Sequence, residues 1–190
     1  PGCQLLFLGY VQDTVRQSAG YPAETEVQSV CRNCFKPDQH HRRLLLYQLL
    51  EQLAEEFVPI LYGEGMEYRL FLPDYKIELM ADANMLVRVF ENLISNAIRY
   101  GKQGRYVDIS MERRENIAVV GVANYGNPIP KSELPYIFDR FHRVEQSRSS
   151  ETGGTGLGLA IAKNIVELHG GKIGAYTSGD KTVFEVMLNL

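Results

Sequence analysis

The sequence predicts an α+β fold in which helices form a layer on one face of a mostly antiparallel sheet. Stretches with apolar residues at helical spacing alternate with short runs of strand character, and tight polar turns join the neighbouring runs at Tyr106–Ala123 and near the C-terminus. At 190 residues, 45% of them hydrophobic, the chain can bury a core of ordinary domain size and carry an appendage.

Taken in order, "LLLYQLLEQLAEEFVPIL" has the period of an amphipathic helix, and Gly63 and Gly65 end it. Short strands are expected at Tyr68–Leu72 and Ile77–Met80. A second helix runs from Asn84 to Tyr100, with an Asn near its start and Gly101 after its end as boundary signals. Tyr106–Met111 and Ile117–Ala123 read as a hairpin whose turn is "RRENI". The stretch "YGNPIPKSELPYIFDRFHRVEQSRSSETGG" holds three prolines and a polar second half and predicts little regular structure; loops of that length are usually functional. A third helix then runs to about His169, and "KIGAYTS" and "TVFEVML" form two strands across "GDK".

Composition excludes some functions. The formal net charge is −3 and no basic block stands out, so no nucleic-acid partner is expected. No apolar run approaches the roughly 20 residues that span a bilayer, so direct membrane contact is not expected either. Cys3, Cys31 and Cys34 are too few and too odd in number for a disulfide framework, which suits a reducing interior.

The chemistry concentrates in two places. "GGTGLGLAIAKNIVELHGG", from Gly153 to Gly171, opens a helix with glycines that let backbone amides approach a ligand, and helix N-termini favour anions. A phosphate is the natural guest; a hinge before an ordinary core helix is the alternative. On the second helix, Asn92 and Asn96 lie one turn apart on one face, with Arg99 on the same side. Two neutral oxygen donors beside a cation suit a hydrated magnesium ion carrying nucleotide phosphates. A solvated polar stripe, or a pair of satisfied core amides, would read the same way. No side chain stands out as a nucleophile or charged general base.

An Asn-bearing helix, then "NYGNPI" after a strand, then "FDRF", "GGTGLGL" and "HGG", resembles in residues and order the catalytic ATP-binding domain of bacterial sensor histidine kinases. That family belongs with the gyrase-type and MutL-type ATPases in the GHKL group. The resemblance covers about Arg42 to Leu190, and "DRFHRVEQSRSSETGGTGLGLAIAKNIVELHGG" is most similar to the VanS-type sensors of vancomycin resistance. It implies a Bergerat-type two-layer α/β sandwich, a mixed sheet covered on one face by helices, with residues 42–190 as the catalytic domain and 127–155 as an ATP lid.

The resemblance further implies ATP and Mg²⁺ as cofactors, with Asn96 as magnesium ligand, Asn92 beside the ion and Arg99 where relatives usually have a lysine. Tyr100, Asn124 and Gly126 would line the adenine site, and Ile129 and Thr182 would also bind the nucleotide. Phe138 and Phe141 would anchor the lid, and Arg140 and Arg143 would reach toward the phosphates. Gly154, Thr155, Gly156, Leu157, Gly158 and Leu159 would form the phosphate cradle. Asn124 departs from the family, which mostly has an aspartate there; an amide oxygen still accepts from the adenine amino group but without charge assistance, so weaker binding with the same base preference is expected.

The family transfers the γ-phosphate of ATP to a histidine on a separate dimerisation domain of the same sensor, which then passes it to a response regulator. Full-length relatives are mostly membrane-anchored, which makes this the cytoplasmic portion of a sensor. Residues 1–41 carry no phosphoacceptor pattern and read as an atypical segment, a remnant or a linker; His40 and His41 are followed by "RRLLL". "CRNCFKPDQHH" packs thiols and imidazoles closely, but not at the spacing of a zinc finger. Two rival functions remain: a hydrolysing ATPase, which would usually carry a glutamate at the position of Asn92, and a docking module that binds partners without kinase activity.

Overall fold

The computed structural model describes residues 41–143 and 156–190, all within one compact unit, Pro37–Leu190. The elements are β1 (Arg42–Leu45), α1 (Leu46–Gly63), β2 (Glu67–Phe71), β3 (Glu78–Ala81), α2 (Ala83–Gly101), β4 (Tyr106–Arg114), β5 (Ile117–Tyr125), α3 (Gly158–Leu168), β6 (Lys172–Ser178) and β7 (Lys181–Asn189). Five strands form one sheet in the order β2-β4-β5-β7-β6. β2 and β4 run parallel and every other neighbouring pair antiparallel, so the sheet is mixed. β1 and β3 form a separate antiparallel pair.

Strand alternation builds the two faces. Val107, Ile109 and Met111 of β4 stand in register with Asn124, Val122 and Val120 of β5, and those with Thr182, Phe184 and Val186 of β7. All nine are buried on the side that receives the helices. α2 lies on β4 and β5, α3 on β6 and β7, and α1 packs against α2 and β2. α2 fits its seat because Val89, Leu93 and Ala97 fall on one stripe and are fully buried, leaving Asn92 and Asn96 at its margin. The predicted fold class stands.

Several boundaries differ from the sequence reading. The first helix was expected to open at Leu44, but Arg42–Leu45 is extended and pairs with Glu78–Ala81. The α2 start is set by Asp82, whose carboxylate accepts from the amides of Asn84 (2.9 Å) and Met85 (3.3 Å), not by Asn84. Gly101 lies inside the helix rather than beyond it, and the left-handed residue that turns the chain is Arg105, with φ of 61°, after a 3₁₀ turn at Lys102–Gly104. In the β4–β5 hairpin the strands continue through Arg114 and resume at Ile117, so the turn is only Glu115 and Asn116.

The "HGG" histidine closes on the same cap. The Asp82 amide donates to Nε2 of His169 (3.2 Å), and Nδ1 of His169 lies 2.9 Å from the Ile165 carbonyl. A carbonyl only accepts, so the hydrogen sits on Nδ1 and Nε2 is free to accept. The His41 ring packs edge-on against His169, with centroids 5.0 Å apart. Replacing Asp82 with Ala removes the Oδ1 that accepts both hydrogen bonds of the cap. The expected cost is about 1 kcal/mol, or roughly 2–4 °C in the thermal midpoint of a domain of this size, read by circular dichroism.

Candidate functional site

Among the described residues only two polar side chains are buried, Asn124 (3% exposed) and Thr182 (1%). They are direct partners across the β5–β7 ladder and both face the helices. The Thr182 hydroxyl accepts from the Ile129 amide at 3.2 Å, which draws the start of the segment after β5 over the sheet. The Asn124 amide has no hydrogen-bond partner among the described residues. No side-chain polar atom among them is both sealed from solvent and unpartnered, so the Asn124 amide looks into an opening. Water or a ligand entering that opening supplies the missing partner, whereas an amide sealed without one would cost about 1–3 kcal/mol.

Glycines hold the surrounding backbone close. A Cβ on Gly101 would lie 2.8 Å from the Asn124 Cβ, and one on Gly104 would lie 2.2 Å from the Tyr125 Cβ and 2.5 Å from its carbonyl carbon. The end of α2 and the 3₁₀ turn therefore press directly on the end of β5. Gly126 adopts a φ of 118° and donates to the Asp180 carbonyl at 2.9 Å. Tyr100, at the end of α2, is 38% exposed.

α3 begins against α2. A Cβ on Gly158 would fall 2.9 Å from the Asn92 side-chain oxygen, so the first residue of α3 lies directly on Asn92. Asn92 and Asn96 are half-buried and Arg99 is exposed, all along the same side of α2. Leu157 caps α3 without a side-chain bond, and Leu157 and Leu159 are half-buried. The α3 entrance also meets the "FDRF" turn: the Phe141 amide donates to the Gly156 carbonyl at 3.0 Å, and both residues take left-handed backbone, with φ of 63° and 71°. Any side chain on Gly156 would collide with the Phe141 backbone, at 2.9 Å. Gly154 and Thr155 lie outside the described residues.

The two phenylalanines divide the work unevenly. Phe138 meets Phe184 of the sheet edge-on at 6.4 Å, as expected of an anchor. The Phe141 ring is 60% exposed, and its backbone amide holds the Gly156 carbonyl. Arg140 is exposed and Arg143 half-buried. Sequence reasoning missed the roles of Gly101, which looked like a helix stop, and of Gly104, which it did not single out, and the pair of His142 Nε2 and Glu133 Oε2 at 3.0 Å. The i, i+9 spacing of that pair on a non-helical segment gave no signal.

Residues 81–190 match the sequence model of the family described as histidine kinase-, DNA gyrase B-, and HSP90-like ATPase. The chain belongs to this ATPase family. Members similar to it include the sensor protein VanS of Enterococcus faecium, 38% identical over 143 residues, which cover 75% of this chain and 37% of VanS. The sensor histidine kinase WalK of Bacillus subtilis is 40% identical over 114 residues, covering 59% of this chain and 19% of WalK. This member of the family thus spans well under half the length of those relatives. Among solved structures, the catalytic domain of histidine kinase ThkA superposes with a TM-score of 0.70 at 25% identity, covering 78% of this chain and 95% of that one. The ATPase-family fold thus agrees with the mixed sheet and its helical layer.

Proposed function

We propose that this chain binds Mg-ATP between α2 and the segment after β5 and donates the γ-phosphate to a histidine on a separate dimerisation domain. It would be the kinase half of a two-component sensor, with residues 42–190 as the catalytic domain and 127–155 as its lid. The observation that carries the reading is the Asn124 amide, buried, unpartnered among the described residues and beside Thr182 at one end of the sheet. An adenine edge supplies the donor and acceptor such a group lacks. Gly126 would let the base approach the backbone, and Tyr100 and Ile129 would flank it.

Asn96 would hold the magnesium ion, with Asn92 and Arg99 beside the phosphates. Bound Mg²⁺ would neutralise charge on the phosphate oxygens. The chain's own part is positioning: Gly158 keeps the α3 entrance against Asn92, the Phe141–Gly156 bond ties the middle of the lid segment to the residue that follows it, and the amides of Gly156, Leu157, Gly158 and Leu159, with Arg140 and Arg143, would face the phosphates. Asn92 offers no carboxylate to activate water, which favours transfer over hydrolysis. The phosphoacceptor domain and a response regulator would be its partners, and it would work on the cytoplasmic side of a membrane-anchored sensor. No helix among the described residues is long and apolar enough to cross a membrane.

Titration calorimetry with ADP and with a non-hydrolysable ATP analogue, each with and without magnesium, tests this. Binding strengthened by magnesium is expected. Absence of binding at millimolar nucleotide would discard the reading and promote a docking role.

A further inference from the structure

The face of the sheet turned away from the helices carries a polar cluster directly behind the proposed base site. Tyr125 follows Asn124, so its side chain leaves β5 on the opposite face. Its hydroxyl donates to Asp108 Oδ2 of β4 at 2.6 Å and accepts from Arg69 Nη2 of β2 at 3.1 Å. Arg69 also makes a two-pronged bond to Asp108, from Nε to Oδ1 at 2.7 Å and from Nη2 to Oδ2 at 3.0 Å. The guanidinium lies 4.5 Å from the Tyr106 ring centroid and 5.4 Å from that of Tyr125. Three strands, including the parallel edge pair β2–β4, are thereby tied at one level.

At the same strand end, Gly104 presses against Tyr125 and Gly101 against Asn124. The end of β5 is thus held both by the 3₁₀ turn and by the Arg69–Asp108–Tyr125 network. We infer that Tyr125 is a positioning residue for nucleotide recognition: with Asp108 and Arg69 it sets the height of the β5 end, and so where the Asn124 amide and the Gly126 backbone meet the base. This rests on the Mg-ATP reading and deepens it. Tyr125 would not touch the nucleotide.

The groups facing Tyr125 are Asp108 and Tyr106 from β4, Arg69 from β2 and Lys181 from β7, whose ammonium lies 5.9 Å from the ring. The hydrogen bond to the Asp108 carboxylate, and then burial, raise the Tyr125 hydroxyl above its ordinary value of 10.0. The sign follows: a group with a raised folded-state value stabilises the neutral arrangement below about pH 10, and that contribution is lost as pH rises through the raised value.

Calorimetry of the whole chain with Mg-ADP and Mg-GDP, for wild type, Tyr125→Phe and Asp108→Asn, tests the inference. Tyr125→Phe removes one oxygen and should weaken ADP about three- to ten-fold, less than a lost charge-assisted hydrogen bond is worth because the effect reaches the base only through the backbone. It should also lower the ADP-to-GDP affinity ratio while the nucleotide-free melting temperature moves little. Asp108→Asn, which keeps an acceptor but not its charge, should fall between. Wild-type affinity should decline in alkali, whereas that of Tyr125→Phe should not show this decline. Wild-type values for both variants, or equal weakening of ADP, GDP and inorganic triphosphate, would overturn the positioning role while leaving Mg-ATP binding standing. Failure of wild type to bind Mg-ADP would overturn both.

Discussion

Asn96→Ala should erase the magnesium-dependent part of nucleotide binding, with a loss of about 100-fold in affinity for the ATP analogue. Magnesium keeps most of its waters and takes few protein ligands, so losing the oxygen proposed to come from Asn96 should remove most of what the chain would offer the ion. The fold should not notice. Asn96 is half-buried at the margin of the α2 seat, and Leu93 and Ala97, which are fully buried, carry the packing. A stability change within about 0.5 kcal/mol is expected. Titrations of the variant with and without magnesium should superimpose, whereas those of wild type should not. If the variant keeps its magnesium enhancement, the ion is held elsewhere and the assignment of Asn96 fails.

Gly104→Ala is expected to produce the largest loss of stability, about 3 kcal/mol, the upper end of what an extra methyl costs in a packed site. Its Cβ would lie within 2.6 Å of three Tyr125 atoms, two of them backbone, and a backbone paired at the end of the β5–β7 ladder has no rotamer to change. The 3₁₀ turn would have to lift off β5, taking with it the Gly101 contact that seats Asn124. At roughly 2–4 °C per kcal/mol, the thermal midpoint should fall by about 6–12 °C, and nucleotide binding should weaken with it. Gly63→Ala is the matched control: no atom lies within 4 Å of the added methyl, and it should be neutral or slightly stabilising. Equal melting temperatures for the two variants would mean that the turn does not press on β5.

How far the sequence reaches is visible in these same residues. α2 and the strands of both hairpins were legible because their apolar periods are strong and their turns short. β1 was not, because "RRLLLYQLL" keeps an apolar run across the strand-to-helix junction, and only the distant partner Glu78–Ala81 makes its first part extended. The parallel pairing of β2 with β4 across α2, and the entry of β7 between β5 and β6, depend on long-range contacts that no local pattern encodes. The candidate positions Asn92, Asn96, Arg99 and Asn124 come from the order of motifs alone. The close approach of Gly104 to Tyr125 and the exposed ring of Phe141 were not legible, since both depend on how separate segments meet.

The β5–β7 seam has a consequence for how the domain folds. β4–β5 and β6–β7 are each local hairpins that can close quickly. Their union cannot be quick, because 53 residues of chain separate Ile129 from the Thr182 hydroxyl it meets, and loop closure has to precede any reward from the contact. Asn124 and Thr182 sit on opposite sides of that union, so neither hairpin alone contains the site. A nucleotide that needs both would recognise only chains whose two halves have joined. At a hundred times its dissociation constant it would add about 2.7 kcal/mol to holding them together, making bound nucleotide a late-acting chaperone of its own binding domain.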